Sequence, residues 1–166
     1  LALLRADTAA DGGQRTGLGD HVIGGLKITL GDVRAALIRT TVGADRESAA
    51  TAAEKRVIAV HEAGHAVALR ILTPNARLTR VSILPAGRGA AGYNLAVPGE
   101  KVMLSKADME NQICVLLAGR AAELLAGGDD ALTAGAASDL TRAGELAAAM
   151  VTELGMAGEP SVSLKA

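Results

Sequence analysis

At 166 residues the chain has room for one domain, or for one domain carrying a piece of another, and enough sequence to bury a proper core. Hydrophobic residues make up 49%, yet there is no Phe, no Trp and a single Tyr, so close-packed helices of Leu, Val, Ile, Met and Ala are favoured over an aromatic-rich sandwich. A net charge of -1 from interspersed signs gives no electrostatic case for nucleic acid or an anionic membrane surface, and no nucleic-acid partner is expected.

The chain begins with Leu1 rather than Met, and is expected to be a piece trimmed from a longer chain, with any anchor or targeting segment lying outside it. A short apolar start gives way to a Gly-rich segment, residues 11 to 25, which reads as loop, and His21 within it reads as a solvent-exposed or capping side chain. Thr29 and Asp32 then have capping-box spacing ahead of a helix carrying Val33, Leu37 and Ile38 on one face. After the linker-like TVGADRESAA, Thr51 and Glu54 open a second helix running to about Leu72 and stopped near Pro74. This is the most apolar stretch, and His61, Glu62, His65 and Arg70 interrupt it well short of the roughly 20 apolar residues of a membrane span. The segment is therefore expected to be soluble.

Next, Val81 and Ile83 alternate with Ser82 in one short strand and Tyr93 and Leu95 lie in another, a candidate hairpin about a Gly-rich turn. Ser105 and Asp108 cap a third helix with Met109, Ile113, Leu116, Leu117, Leu124 and Leu125, ended by Gly127 and Gly128. Cys114, the single cysteine, lies in its run QICVLLAG, where it reads as a small buried hydrophobe in a reducing compartment. Ser138 is expected to cap a last helix bearing Leu140, Ala143, Leu146, Met150, Val151 and Leu154, with Gly155 as its stop.

The chemistry is concentrated in HEAGH, residues 61 to 65. Residues four apart share a helix face, so His61 and His65 can hold one ion between their imidazoles, while Glu62 lies close enough to reach a water on that ion without ligating it. Zinc held so makes its water acidic and the glutamate takes the proton, which is a recipe for peptide hydrolysis. The rival is an ordinary helix whose histidines bond to backbone or water. Burying His, Glu and His together without a compensating purpose is costly, and small Ala63 and Gly64 leave room for another backbone to approach. A catalytic zinc needs a third protein ligand. No histidine follows His65, so the ligand is expected to be a later carboxylate. Asp108 reads as a cap, Asp129 and Asp130 as loop residues, Glu145 and Glu153 as solvated faces; Glu123 and Asp139 remain, and spacing does not separate them.

Four blocks, HEAGHAV, VSILPAGRGAAGYNL, LAGRAAELLAG and TAGAASDLTRAGELAAAMVTELGM, together resemble the peptidase domain of the FtsH-type ATP-dependent zinc metalloproteases, the AAA proteases, from about residue 45 to the end. The resemblance implies a mainly α fold with a small β element, zincin-like, over residues 46–166. It implies zinc held by His61, His65 and Asp139, with Glu62 as general base and acid. Glu123 falls on a family glutamate that supports the site without binding the ion. Val81, Ser82, Ile83 and Leu84 fall on the strand beside the cleft, where an extended substrate adds as another strand. Residues 1–45, with ITLGDVRAALIRTT, resemble the end of an ATPase lid and its linker, although no GxxxxGK[ST] phosphate loop is present. Implied partners are unfolded or membrane-extracted polypeptide substrates, an AAA ATPase module in cis or in trans, and further copies in a homo-hexamer of the full-length parent. The segment is expected to face the cytoplasm, and its parent to be anchored to the inner or plasma membrane.

The sequence also departs from the family. Val60 stands where an aromatic is usual, Ala118 replaces the first glycine of a GGR block, the turn near Arg88 is one residue longer, and the chain stops at SVSLKA, short of the helices that normally finish the domain. The alternative function is therefore a catalytically degenerate homologue serving as an assembly or substrate-binding module. A structural helical domain with a chance pentad is a weaker rival, since it makes all four blocks coincidental.

Overall fold

The computed structural model of the chain describes residues 21–23, 26–43, 48–85 and 91–157. These fall into two compact units, one containing residues 21–43 and the other residues 48–85 and 91–157.

In the first unit, β1 (His21–Ile23) pairs antiparallel with β2 (Leu26–Ile28), with Val22 opposite Lys27, and α1 (Leu30–Thr41) follows at once. The loop expected over residues 11 to 25 is thus corrected at its end. Apolar residues on both sides of a Gly-Gly pair make a hairpin signal that the glycine content masked. The rest of that loop, and the side chain of His21, lie outside the described residues. Thr29 and Asp32 form the expected capping box, Thr29 Oγ1 accepting from the Asp32 N–H at 3.2 Å and Asp32 Oδ2 accepting from the Thr29 N–H at 2.8 Å. Val33 and Leu37 of α1 are exposed.

The second unit is built on α2 (Ala52–Leu72), the hairpin of β3 (Arg77–Ser82) and β4 (Tyr93–Val97), α3 (Lys106–Gly127) and α4 (Ala137–Thr152). Helix α3 packs along both α2 and α4, and β3 and β4 lie against α2. Capping boxes at Thr51 with Glu54 and at Ser105 with Asp108 start α2 and α3 where the spacing predicts. Strand β3 begins earlier than expected and ends at Ser82, opposite Tyr93, so Ile83 and Leu84 lie past the ladder. The turn near Arg88 and the SVSLKA end lie outside the described residues.

Two expectations fail in the helices. Cys114 is exposed, because α3 turns that face away from α2 and α4. Ser138 does not cap α4: Thr133 caps a single 3-10 turn, Ala134–Ala136, that runs directly into the helix, so the chain is already helical at Ala137 and needs no side-chain cap.

Among the described residues few apolar side chains are buried outright. Tyr93, Met109, Ala136, Ala143 and Met150 are the buried hydrophobic members of the core, while Leu117, Leu124, Leu125, Leu140 and Val151 remain exposed. Helices α2 and α3 approach so closely that a Cβ added at Gly64 would lie 2.5 Å from the Ala118 carbonyl oxygen and 2.6 Å from Ala122 Cβ. Gly64 therefore makes the room that the sequence suggested; Ala63 beside it faces outward. Asn111 donates to the Leu72 carbonyl at 3.1 Å, tying the end of α2 to α3. Among the described residues no helix is long and apolar enough to cross a membrane.

Candidate metal centre

The close approach of α2 and α3 dictates how the histidines point. His61 and His65 lie one turn apart on the face of α2 that meets α3, and both are largely removed from solvent. Opposite them on α3 sits Gly119, where an added Cβ would fall 2.5 Å from His61 Cε1, His61 Nε2 and His65 Nε2. The rings rest directly on backbone, crossing edge to face with centroids 4.6 Å apart.

Each imidazole is oriented from behind through its Nδ1. The His61 Nδ1 lies 2.7 Å from Glu123 Oε1, and the His65 Nδ1 lies 2.7 Å from the Val115 carbonyl oxygen. A carboxylate and a carbonyl only accept, so both Nδ1 atoms carry the proton and both Nε2 atoms present lone pairs. Those two Nε2 atoms face each other at 2.9 Å, and Asp139 Oδ2 comes within 3.4 Å of the first and 3.3 Å of the second. Three lone-pair atoms thus converge with no proton between them in the neutral tautomers. Only a cation, or extra protons, resolves that. A tetrahedral ion with bonds of about 2.0–2.1 Å to nitrogen and oxygen sets its ligand atoms roughly 3.3–3.4 Å apart, the spacing of Asp139 Oδ2 from both imidazoles, while the two Nε2 atoms lie closer together than that. His61, His65 and Asp139 form the one such His, Cys, Asp and Glu group found among the described residues.

Glu123, 2% exposed, is turned towards His61 Nδ1 instead of the centre. Its other oxygen accepts from the Thr133 N–H at 3.0 Å and from Arg120 at 3.2 Å. Arg120 in turn donates to the Thr133 carbonyl at 2.5 Å. This network fixes the segment leading into α4, whose first turn delivers Asp139. Burial works to raise the Glu123 carboxyl, but hydrogen bonds from the Thr133 N–H and His61 and the Arg120 charge bring it below its ordinary value. Asp139 is treated alike: burial opposes ionisation, and the hydrogen bonds and charges of His61 and His65 more than offset it, holding the carboxyl far below the usual range. The hydrogen bond to Asp139 raises His61, and His65 is raised too, its burial outweighed by bonds to Asp139 and Val115.

Glu62, 7% exposed, lies off the ligand face and meets β4. Asn94 donates through Nδ2 to Glu62 Oε2 at 2.7 Å and to the Glu62 carbonyl at 3.0 Å. Burial pushes the Glu62 carboxyl above its ordinary value, more than the nearby histidines and Asn94 pull it down. Such a group takes up and gives back a proton nearer neutrality than a solvated glutamate does.

The structure therefore brings together His61, Glu62, His65, Glu123 and Asp139. Of the residues expected to meet substrate, Val81, Ile83 and Leu84 are exposed and Ser82 is buried, its carbonyl 2.8 Å from the Cβ position of Gly92, which also abuts Glu62. Sequence reasoning missed Gly92, Asn94, Val115 and Gly119. Asn94 had a signal, being a poor strand former inside the apolar run YNLAV; Val115 acts through its backbone and had none.

Comparison with known proteins matches residues 48–163 to the family model described as Peptidase family M41. The chain is 43% identical over 135 residues to "ATP-dependent zinc metalloprotease FtsH" of Thermotoga maritima, covering 80% of this chain and 22% of that protein. It is 39% identical over 131 residues to "ATP-dependent zinc metalloprotease FtsH 4" of Synechocystis sp., covering 78% and 20%. To "ATP-dependent zinc metalloprotease FtsH" of Pseudothermotoga lettingae it is 44% identical over 133 residues, covering 78% and 21%. The chain spans about a fifth of the length of these curated relatives.

Proposed function

The chain belongs to peptidase family M41, and from that premise we propose that it is the zinc endopeptidase part of an ATP-dependent protease, hydrolysing peptide bonds of unfolded or membrane-extracted proteins. The observation that carries this reading is the meeting of His61 Nε2, His65 Nε2 and Asp139 Oδ2 within 3.4 Å of one another, beside a buried glutamate that binds none of them. Asp139 is the third ligand rather than Glu123, whose oxygens are taken by His61, Arg120 and Thr133.

In this mechanism His61, His65 and Asp139 hold zinc, and Glu123 and the Val115 carbonyl keep both imidazoles in the tautomer that presents Nε2. Zinc bound there would acidify its water and polarise the scissile carbonyl. Glu62 takes the proton of the attacking water and returns it to the leaving amine, and its raised proton affinity suits both steps. Strand β3 pairs only with β4 among the described residues, which supports an extended substrate joining its other edge near Val81 and Ser82 and running towards Ile83 and Leu84. Residues 1–45 are the end of an ATPase lid with its linker, and residues 46–166 the peptidase domain. An AAA motor, in cis or in trans, and a homo-hexameric parent anchored in a membrane complete the assembly.

Nothing in the position of Ala118 favours the non-cleaving alternative. Its carbonyl meets Gly64, while the glycine that the histidines need is Gly119, which is retained.

Two measurements test the proposal. Zinc per chain after exhaustive dialysis is expected near one equivalent and sharply lower in Asp139→Ala. A short unstructured peptide needs no motor to unfold it, so its cleavage by the zinc-loaded protein is expected without ATP and lost in Glu62→Gln. Equal rates for the two proteins would sink the enzyme reading.

A further inference from the structure

We infer that Asn94 is a positioning residue for the Glu62 carboxylate, a role that rests on the peptidase reading above for its catalytic meaning but on geometry alone for its existence. Both hydrogens of one amide nitrogen are committed to the same residue: Nδ2 donates to Glu62 Oε2 at 2.7 Å and to the Glu62 main-chain carbonyl at 3.0 Å. Two acceptors fix the amide's orientation, since turning it over would set its carbonyl against both of them. The link spans elements, from β4 to the middle of α2, and grips Glu62 at backbone and carboxylate together. A rotation of the glutamate about its side-chain bonds breaks one bond without loosening the other.

The opposite side of the carboxylate is closed by Gly92. A Cβ there would lie 2.8 Å from Glu62 Oε1 and 2.9 Å from Glu62 Cγ, so the glutamate stem rests on bare backbone at the entry to β4. Gly92 and Asn94 make a seat that leaves the carboxylate little freedom beside the metal ligands.

The seat has a cost that packing alone does not explain. Asn94 Oδ1 is buried and has no hydrogen-bond partner among the described residues. An orphaned buried carbonyl is unfavourable, and an apolar residue would fill a strand position inside YNLAV without that loss. The amide is retained for what its nitrogen holds. Positioning of this kind matters because misplacing a reacting group by about 1 Å can cost on the order of 100-fold in rate.

The test combines a spectroscopic readout with kinetics. In the zinc-loaded protein, an Asn94 side-chain amide proton is expected downfield of ordinary asparagine amides and displaced in Glu62→Gln. For an unstructured peptide, Asn94→Asp, nearly isosteric but with an acceptor replacing the donor, is expected to lower kcat by roughly 10- to 100-fold with KM and zinc content little changed. Asn94→Ala is expected to fall between it and the unaltered protein. An amide signal indifferent to Glu62→Gln, or Asn94→Asp keeping kcat within about twofold of the unaltered protein, overturns the inference. Should the unaltered protein cleave nothing, the peptidase reading fails while the amide signal still decides whether Asn94 holds Glu62.

Discussion

Replacing Gly119 by alanine adds one methyl group to the face of α3 on which both imidazoles rest. That carbon would begin 2.5 Å from His61 Cε1, His61 Nε2 and His65 Nε2. Non-bonded heavy atoms settle at about 3.5–4.0 Å, so the rings or the helix must retreat by roughly 1 Å. Yet the rings are tethered at 2.7 Å to Glu123 and to Val115, and their Nε2 atoms have to stay within bonding range of one ion. Metal sites tolerate only about 0.2 Å in ligand distance. Loss of a partner that merely orients a ligand weakens metal binding about 10- to 100-fold, and displacing two ligands at once is expected to do at least the larger of these. Overpacking adds about 1–3 kcal/mol of destabilisation, partly offset by the 0.5–1 kcal/mol or so that alanine gains over glycine in a helix. Gly144→Ala supplies the control, because among the described residues nothing lies within 4 Å of a Cβ there and only the helix gain should appear. Zinc affinity by competition with a chromogenic chelator, with thermal unfolding alongside, separates the two variants. Gly119→Ala binding zinc within about threefold of the unaltered protein, at an unchanged Tm, would refute the claim that the rings rest on this backbone.

Glu123→Gln keeps the size of the side chain but loses the carboxylate on His61 Nδ1, and zinc affinity is expected to fall about 10- to 100-fold by the same competition assay, with metal still bound at saturation. Gly64→Ala sets a methyl against the Ala118 carbonyl, backbone against backbone, so denaturant unfolding should show about 1–3 kcal/mol lost in metal-free protein as well as in holoprotein. The metal-free and zinc-bound forms should also respond oppositely to pH. His61 and His65 have folded-state proton affinities raised above the unfolded value, so their contribution is whole below about pH 6.5 and disappears as pH rises through the raised values. Asp139, held low, contributes above about pH 4 and loses that contribution as pH falls further. Metal-free Tm should therefore decline from pH 6 to 8, while the stabilisation by added zinc grows as the histidines shed protons; parallel curves would contradict the cluster as described.

Local patterns were legible wherever their physics is local. The capping boxes at Thr29, Thr51 and Ser105 are decided within four residues, and these three helices start where their spacing says. The placement of His61 and His65 on one face follows from the pitch of a helix. The blocks around them also sufficed to point to the family, whose model matches residues 48–163. Sequence alone determined that much because hydrogen-bonded turns and helical periodicity depend on near neighbours.

What only the tertiary structure decided are the questions whose answers lie across the chain. Spacing left Glu123 and Asp139 equivalent; the fold turns Glu123 to the back of His61 and brings Asp139 to the open Nε2 side, because the Thr133 segment is fixed by Glu123 itself before α4 begins. The start of α4 was misjudged at Ser138 since a preceding 3-10 turn already set the helical path. Cys114 looked buried because its run is apolar, but α3 has more apolar residues than the facing helices cover. Gly119 acts on His61 and His65, and Gly92 and Asn94 on Glu62, each across 30 or more residues of chain, and no periodicity in a single chain encodes which backbone will meet which side chain.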